Sequence, residues 1–133
     1  MILLDTTFLI DTLKGKEYSR KKMNELNDLL FTTRINIFEV LVGLFSIKKS
    51  ESIIREHFNS ASNLFSQLNI LELDEKSMIK SAEIAGNLNK LGRPIGSTDC
   101  LIAGIALSNG IKTIITRNIK HFENIEELNI ETY

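Results

Sequence analysis

The sequence holds one cysteine, Cys100, which excludes an internal disulfide and fits a reducing compartment. Cys100 lies in an apolar run and reads as core. The two histidines, His57 and His121, stand far apart with no cysteine beside either, so the usual zinc spacings are missing. No apolar stretch approaches the roughly 20 residues of a membrane span, and no basic-then-apolar leader is seen. The expectation is a cytoplasmic protein without membrane contact. An excess of one charge is also missing: sixteen basic residues face seventeen acidic ones, for a net charge of −1. No global field then draws the chain to nucleic acid, and any such contact must come from a local patch. Tryptophan is absent and proline occurs once, a compositional bias without a functional reading. There are no repeats, linkers or low-complexity tracts. With 43% hydrophobic and 25% charged residues, the chain is expected to form one domain over residues 1–133 with a substantial core.

Against that background three carboxylates stand out. Asp5 closes the apolar run MILL and opens TTFLID. Glu39 stands inside INIFEVLVGLFSI, and Asp99 adjoins CLIAGIAL, which has no polar side chain. A charge in apolar company costs several kcal/mol unless it is paired or coordinated, and no basic residue adjoins any of the three. Each also has a plainer role open to it: Asp5 and Asp99 as helix caps, Glu39 on a helix's exposed stripe.

The pattern along the chain alternates short apolar strands with helices. Strands are expected at Ile2–Leu4, Leu29–Thr33, Asn69–Leu73, Thr113–Thr116 and Leu128–Thr132. Helices are expected from Thr6, over Glu17–Leu26, Ile35–Lys48, Ser52–Leu68, Glu75–Leu91 and Asp99–Asn109, with one short turn at Asn118–Phe122. Gly92 with Pro94 and Gly110 stop two of them. The fold class this predicts is α/β: a three-layer α/β/α domain around a short-stranded parallel sheet.

In open parallel sheets, ligands gather at the carboxyl ends of the strands. Asp5 directly follows the first strand, Glu39 lies in the helix after the second, and Thr116-Arg117-Asn118 follows the fourth. Asp99 begins the helix before that strand. Clustered carboxylates with hydroxyls and a carboxamide (Thr6, Thr7, Asn118) suit Mg²⁺ or Mn²⁺, which take oxygen ligands. Such an ion makes hydroxide available near neutral pH and stabilises charge on phosphorus, which is the apparatus of phosphodiester hydrolysis.

The blocks MILLDTTFLID, INIFEVLVGL, GRPIGSTDCLIAGIAL and TIITRNIKHF, in that order across the chain, resemble the PIN-domain family, and more narrowly the VapC-type toxins of toxin–antitoxin pairs. The resemblance implies a PIN-like fold and a Mg²⁺- or Mn²⁺-dependent endoribonuclease. It matches Asp5, Glu39 and Asp99 to the family's acids and metal ligands, Thr6 to its hydroxyl, and Asn118 to its fourth acid or asparagine. It also implies an RNA substrate, an antitoxin partner, a homodimer and a toxin–antitoxin hetero-oligomer, with a basic antitoxin side chain among the acids. Two departures are visible. Asn36 stands where many relatives carry Ser or Thr before the glutamate, and Asn118 adds no charge, so one ion is expected more firmly than two.

Arg93, Arg117 and Lys120 flank the blocks carrying Asp99 and Asn118 and are candidates for RNA phosphate contacts; solvated surface charge is the alternative. His121 is placed either on RNA or against Phe122. Arg20-Lys21-Lys22 and Lys48-Lys49 read as solvated helix faces. Phe38, Leu41, Leu44, Phe45, Ile47, Phe58 and Phe65 exceed what one thin layer buries, which suggests a partner-binding surface. The rival functions are an RNA-processing or structure-specific DNA nuclease outside a toxin–antitoxin pair, a metal-dependent phosphatase, and a PIN-like binding module without catalysis.

Overall fold

The computed structural model describes residues 1–133. Five strands, β1 (Ile2–Leu4), β2 (Leu30–Thr33), β3 (Asn69–Leu71), β4 (Thr113–Ile115) and β5 (Asn129–Glu131), form one sheet in the order β3-β2-β1-β4-β5. All four pairings are parallel. Seven helices connect them: α1 (Thr6–Leu13), α2 (Glu17–Glu25), α3 (Arg34–Phe45), α4 (Glu51–Ser66), α5 (Glu75–Lys90), α6 (Ser97–Ser108) and α7 (Ile119–Phe122).

Successive side chains of a strand point to opposite faces of the sheet, and this alternation builds the layers. In β1, Leu3 and Leu4 are both fully buried but join different cores, as do Ile114 and Ile115 in β4. Leu4 and Ile115 pack with Phe8 and Leu9 of α1, Ile37 and Val40 of α3, and Ala61 and Phe65 of α4. Leu3 and Ile114 pack with Ile84 and Leu88 of α5, Cys100, Ile102, Ala103 and Ala106 of α6, and Phe122 of α7. Helices therefore cover both faces of a sheet too apolar to meet water on either side.

The element boundaries depart from the sequence expectations by a few residues, with physical causes. α3 begins at Arg34, because Thr33 and Asn36 form a reciprocal cap at its start, and it ends at Phe45, short of Lys48. α6 begins at Ser97 with Gly96 at the cap position, so Asp99 lies within the first turn and is not the cap. Gly92 and Gly110, with φ of 67° and 74°, supply the left-handed turns that end α5 and α6.

The strand order fixes where a site can form. β1 is central, and its two sequence-linked neighbours lie on opposite sides: the chain first steps outward through β2 and β3, then returns to β4 on the other flank. A crevice opens at such a switch point, outside the carboxyl ends of the central strands. Asp5 leaves β1 there, and its N–H donates to the carbonyl of Ile115 at 3.1 Å, so the ends of β1 and β4 are stitched together.

Candidate active site

Asp5 is 3% exposed. It occupies the cap position of α1, but its side chain makes no capping hydrogen bond, so the plain cap role does not explain its burial. Its oxygens instead accept from side chains of two other segments: Oδ1 from Asn36 Nδ2 at 3.1 Å, and Oδ2 from the Thr116 hydroxyl at 2.7 Å. Burial pushes the Asp5 carboxyl above its ordinary value, partly opposed by hydrogen bonds from Thr116, Thr6, Thr7 and Asn36.

Asn36 is fully buried and fills the place where the resemblance led one to expect Ser or Thr. Its carbonyl accepts from the Thr33 N–H at 3.2 Å and from the Thr33 hydroxyl at 2.6 Å. Its amide donates to Asp5 and, at 3.0 Å, to Thr6 Oγ1. Thr6 in turn donates to Glu39 Oε1 at 2.7 Å, and Thr98 donates to Glu39 Oε2 at 3.4 Å. Thr33, Asn36, Thr6 and Glu39 thus form one directed chain of donors, with the amide's capacity fully used.

Asp99 reaches this site from α6. Burial, together with the negative charges of Asp5 and Glu39, pushes its carboxyl upward, while His121 on α7 opposes the rise. His121 Nδ1 lies 2.9 Å from Asp99 Oδ2, and its ring is half exposed. It therefore pairs with an acid; the neighbouring Phe122 goes into the core instead. Asn118 stands at the start of α7 and donates its backbone N–H to Thr116 Oγ1 at 2.9 Å.

Arg117 donates its backbone N–H to Thr7 Oγ1 at 3.1 Å, and its side chain pairs with the buried Asp11, Nε to Oδ2, at 2.9 Å. Arg93 is exposed and donates to Asn124 Oδ1 at 2.9 Å, and Lys120 is exposed. Thr98, Thr116 and Asp11 were not singled out by the sequence reading. Thr116, beside a β-branched strand, and Thr98, in the first turn of α6, carry no distinguishing signal. Asp11, within FLIDTL, carries the same signal as Asp5, a charge in apolar company, but passes for an ordinary polar position of a helix.

The residues present fit a hard divalent cation in their chemistry. The donors are carboxylate, hydroxyl and carboxamide oxygens, and burial holds two of the acids, Asp5 and Asp99, back from ionisation. No three Asp, Glu, His or Cys side chains already form a closed ligand cage. The acids are near enough for the charges of Asp5 and Glu39 to act on Asp99.

A model of the PIN domain matches residues 2–128. The chain is 30% identical to the tRNA(fMet)-specific endonuclease VapC of Salmonella typhimurium, over 98% of this chain and 96% of that protein. It is 32% identical to the ribonuclease VapC1 of Haemophilus influenzae, over 95% and 92%. Among solved structures it superposes on a chain of VapBC2 from Rickettsia felis, bound to a DNA fragment from its promoter, with TM-score 0.87 and 26% identity, covering 100% and 99% of the two chains. A chain of DNA-bound VapBC from Salmonella typhimurium gives 0.84 at 30% identity, covering 98% and 96%. With a parallel five-stranded sheet, acids gathered at its switch point and likeness along nearly the whole length, the chain belongs to the PIN-domain family, on its VapC branch.

Proposed function

We propose that this protein is a metal-dependent endoribonuclease, the toxin of a toxin–antitoxin pair that restrains translation or growth until its antitoxin binds. The observation that carries the reading is the buried Asp5, held by Asn36 and Thr116 beside Glu39 and Asp99 at the carboxyl edge of the sheet. Asp5, Glu39 and Asp99 would hold Mg²⁺ or Mn²⁺, which activates water and offsets charge on the phosphorus under attack. The protein's own groups prepare that chemistry. Asn36 keeps Asp5 and Thr6 in register, Thr6 and Thr98 aim the Glu39 carboxylate, and Thr116 fixes the second oxygen of Asp5. Asn118 lies next to these groups as an uncharged carboxamide able to orient water or substrate.

The partner is supported by a second observation. A groove of about 470 Å³ runs between α1, α3 and α4, lined by Ile10, Leu13, Val40, Leu44, Ile47 and His57. Phe38, Val42 and Phe45 are about half exposed or more along α3, and the rings of Phe45 and Phe58 stack at 6.0 Å. The solved relatives are VapBC complexes, and an apolar antitoxin segment fits such a groove. A homodimer and a cytoplasmic site of action belong to the same reading; no helix is long and apolar enough to cross a membrane.

The test is cleavage of single-stranded RNA with Mg²⁺, Mn²⁺ or EDTA, beside branched DNA and a phosphomonoester. RNA alone is expected to be cut, only with the metals, and not by Asp5→Asn or Asp99→Asn. Undiminished metal-dependent cleavage by both variants would falsify the site assignment.

A further inference from the structure

Asp11 is as deeply buried as Asp5, yet nothing in the proposed reaction uses it. Its carboxylate has two partners from distant parts of the chain. Arg117 Nε lies 2.9 Å from Oδ2, and the Tyr133 hydroxyl donates to the same oxygen at 2.8 Å. The Tyr133 ring packs edge-on against Phe8, with centroids 4.7 Å apart, and lies 5.8 Å from the ring of Tyr18. A carboxylate sealed in this way is costly to keep, so its partners define its use.

The pair is lopsided: the Asp11 side chain is 3% exposed and the Arg117 side chain 49%. The anion is enclosed while the cation faces solvent. A guanidinium presents five donors in a planar fork, so engagement at Nε leaves its outer edge for another anion.

Where that edge sits follows from α1. Thr7 and Asp11 are four residues apart and share one helix face. The Arg117 backbone is bound at Thr7, and its side chain ends at Asp11. The guanidinium thus lies about one helical turn, roughly 5.4 Å along the helix axis, beyond Thr7, the residue that bonds both Asp5 and the Arg117 backbone. That is comparable to the step between neighbouring phosphates on a single strand. The same tether keeps the arginine from folding onto the acids and neutralising them.

We propose that Asp11 and Tyr133 are positioning residues that hold Arg117 beside the acidic site, where its guanidinium takes the phosphate next to the scissile one. The identity of the ligand rests on the nuclease reading; the tether does not. Arg117 then contributes to holding RNA rather than to the bond-breaking step, and Asp11 and Tyr133 act by restricting where it points.

The test uses the full chain carrying Asp99→Asn, titrated into fluorescein-labelled single-stranded RNA and read by anisotropy at several salt concentrations. Arg117→Ala is expected to weaken binding about tenfold and to reduce the slope of log affinity against log salt by about 0.7, the loss of one phosphate contact. Asp11→Asn and Tyr133→Phe leave the arginine in place but free its direction, and are expected to weaken binding about three- to tenfold. In the cleavage-competent chain Tyr133→Phe should raise KM with kcat unchanged.

Wild-type affinity and salt slope in Arg117→Ala overturn the proposal. So does weakened binding in Arg117→Ala with wild-type binding in Tyr133→Phe, because a merely structural tyrosine lowers the melting temperature and nothing else. Should Asp11→Asn fail to fold, Tyr133→Phe decides. Wild-type protein that binds RNA through Arg117 but cuts none sinks the nuclease reading and leaves the tether standing; cleavage without Arg117 dependence does the opposite.

Discussion

A carboxylate 3% exposed between the ends of two strands is held against its own ionisation. Burial raises Asp5 above its ordinary 3.8, and burial with the charges of Asp5 and Glu39 does the same for Asp99. Between that ordinary value, at which the unfolded chain titrates, and the higher folded value, the folded state binds more protons. The contribution of these two acids to metal-free stability therefore grows as pH falls through that window and is smallest at neutral pH. Asp5→Asn is expected to melt above wild type in EDTA at neutral pH, with the gap closing as pH falls to the ordinary carboxylate value. If Asp5 serves the metal as proposed, adding Mn²⁺ should reverse the order, since the variant lacks one of the three carboxylates. Differential scanning at several pH values checks both statements. Asn36 is the complementary case. Asn36→Ala strips donors from Asp5 and Thr6 and breaks the cap of α3, so a loss of about 2–3 kcal/mol is expected by urea denaturation. With Asp5 no longer aimed, RNA cleavage should fall about 10- to 100-fold. The three acids were legible in the sequence because each interrupts an apolar run. Thr6 and Thr7 were legible by their place next to Asp5; Thr98 and Thr116 were not, since a hydroxyl marks nothing until its partner is known.

The helices that carry these residues are placed by close packing, and α5 against α6 is the tightest case. A Cβ added to Gly104 would lie 1.9 Å from Ser81 Oγ and 2.7 Å from the Ser81 backbone nitrogen. Gly104→Ala must therefore push the two helices apart, with an expected cost of about 3 kcal/mol in equilibrium unfolding. Ser81→Ala should restore only part of it, because the contact with backbone nitrogen remains. Since α6 carries Thr98 and Asp99, cleavage is expected to fall along with stability. The start of α5 shows the opposite titration from the active site. Asp74 caps it by accepting from the Ser77 N–H at 2.9 Å, which holds its carboxyl below the ordinary value. That contribution is present at neutral pH and is lost as pH falls through the lowered folded value, so Asp74→Ala should destabilise the protein at pH 7 and be neutral in strong acid. Helices of this kind were readable from apolar spacing and glycine stops. The starts of α3 and α6 were not, because the first depends on an asparagine acting as a cap partner and the second on a glycine.

At the scale of the whole molecule, short apolar strands alternating with helices announced a sheet covered on both faces, and Leu3 and Leu4, like Ile114 and Ile115, divide between its two cores. The order of the strands was not announced, because short apolar strands carry no label for their neighbours; the structure supplies it. The apolar excess of α3 and α4 was visible in sequence, and the structure divides it: Phe65 is core, while Phe38, Val42, Phe45 and Phe58 remain open. A chain with that surface is expected to self-associate when isolated. Val42→Asp with Phe45→Asp should shift it to a smaller species in size-exclusion chromatography and abolish antitoxin binding, with RNA cleavage retained.

The pairing of β1 with β4 sets a timetable for synthesis. The hydroxyl that fixes Asp5 Oδ2 belongs to Thr116, 111 residues further along the chain. Until Ile114 and Ile115 emerge, the central strand lacks one neighbour and both cores lack their middle. Parallel pairings over such separations are slow to form and come late. A nascent chain that has not yet delivered β4 and Thr116 is therefore expected to lack an assembled site. The acidic site is thus assembled only after the strand leading to Thr116 has been made, however early its first acid appears.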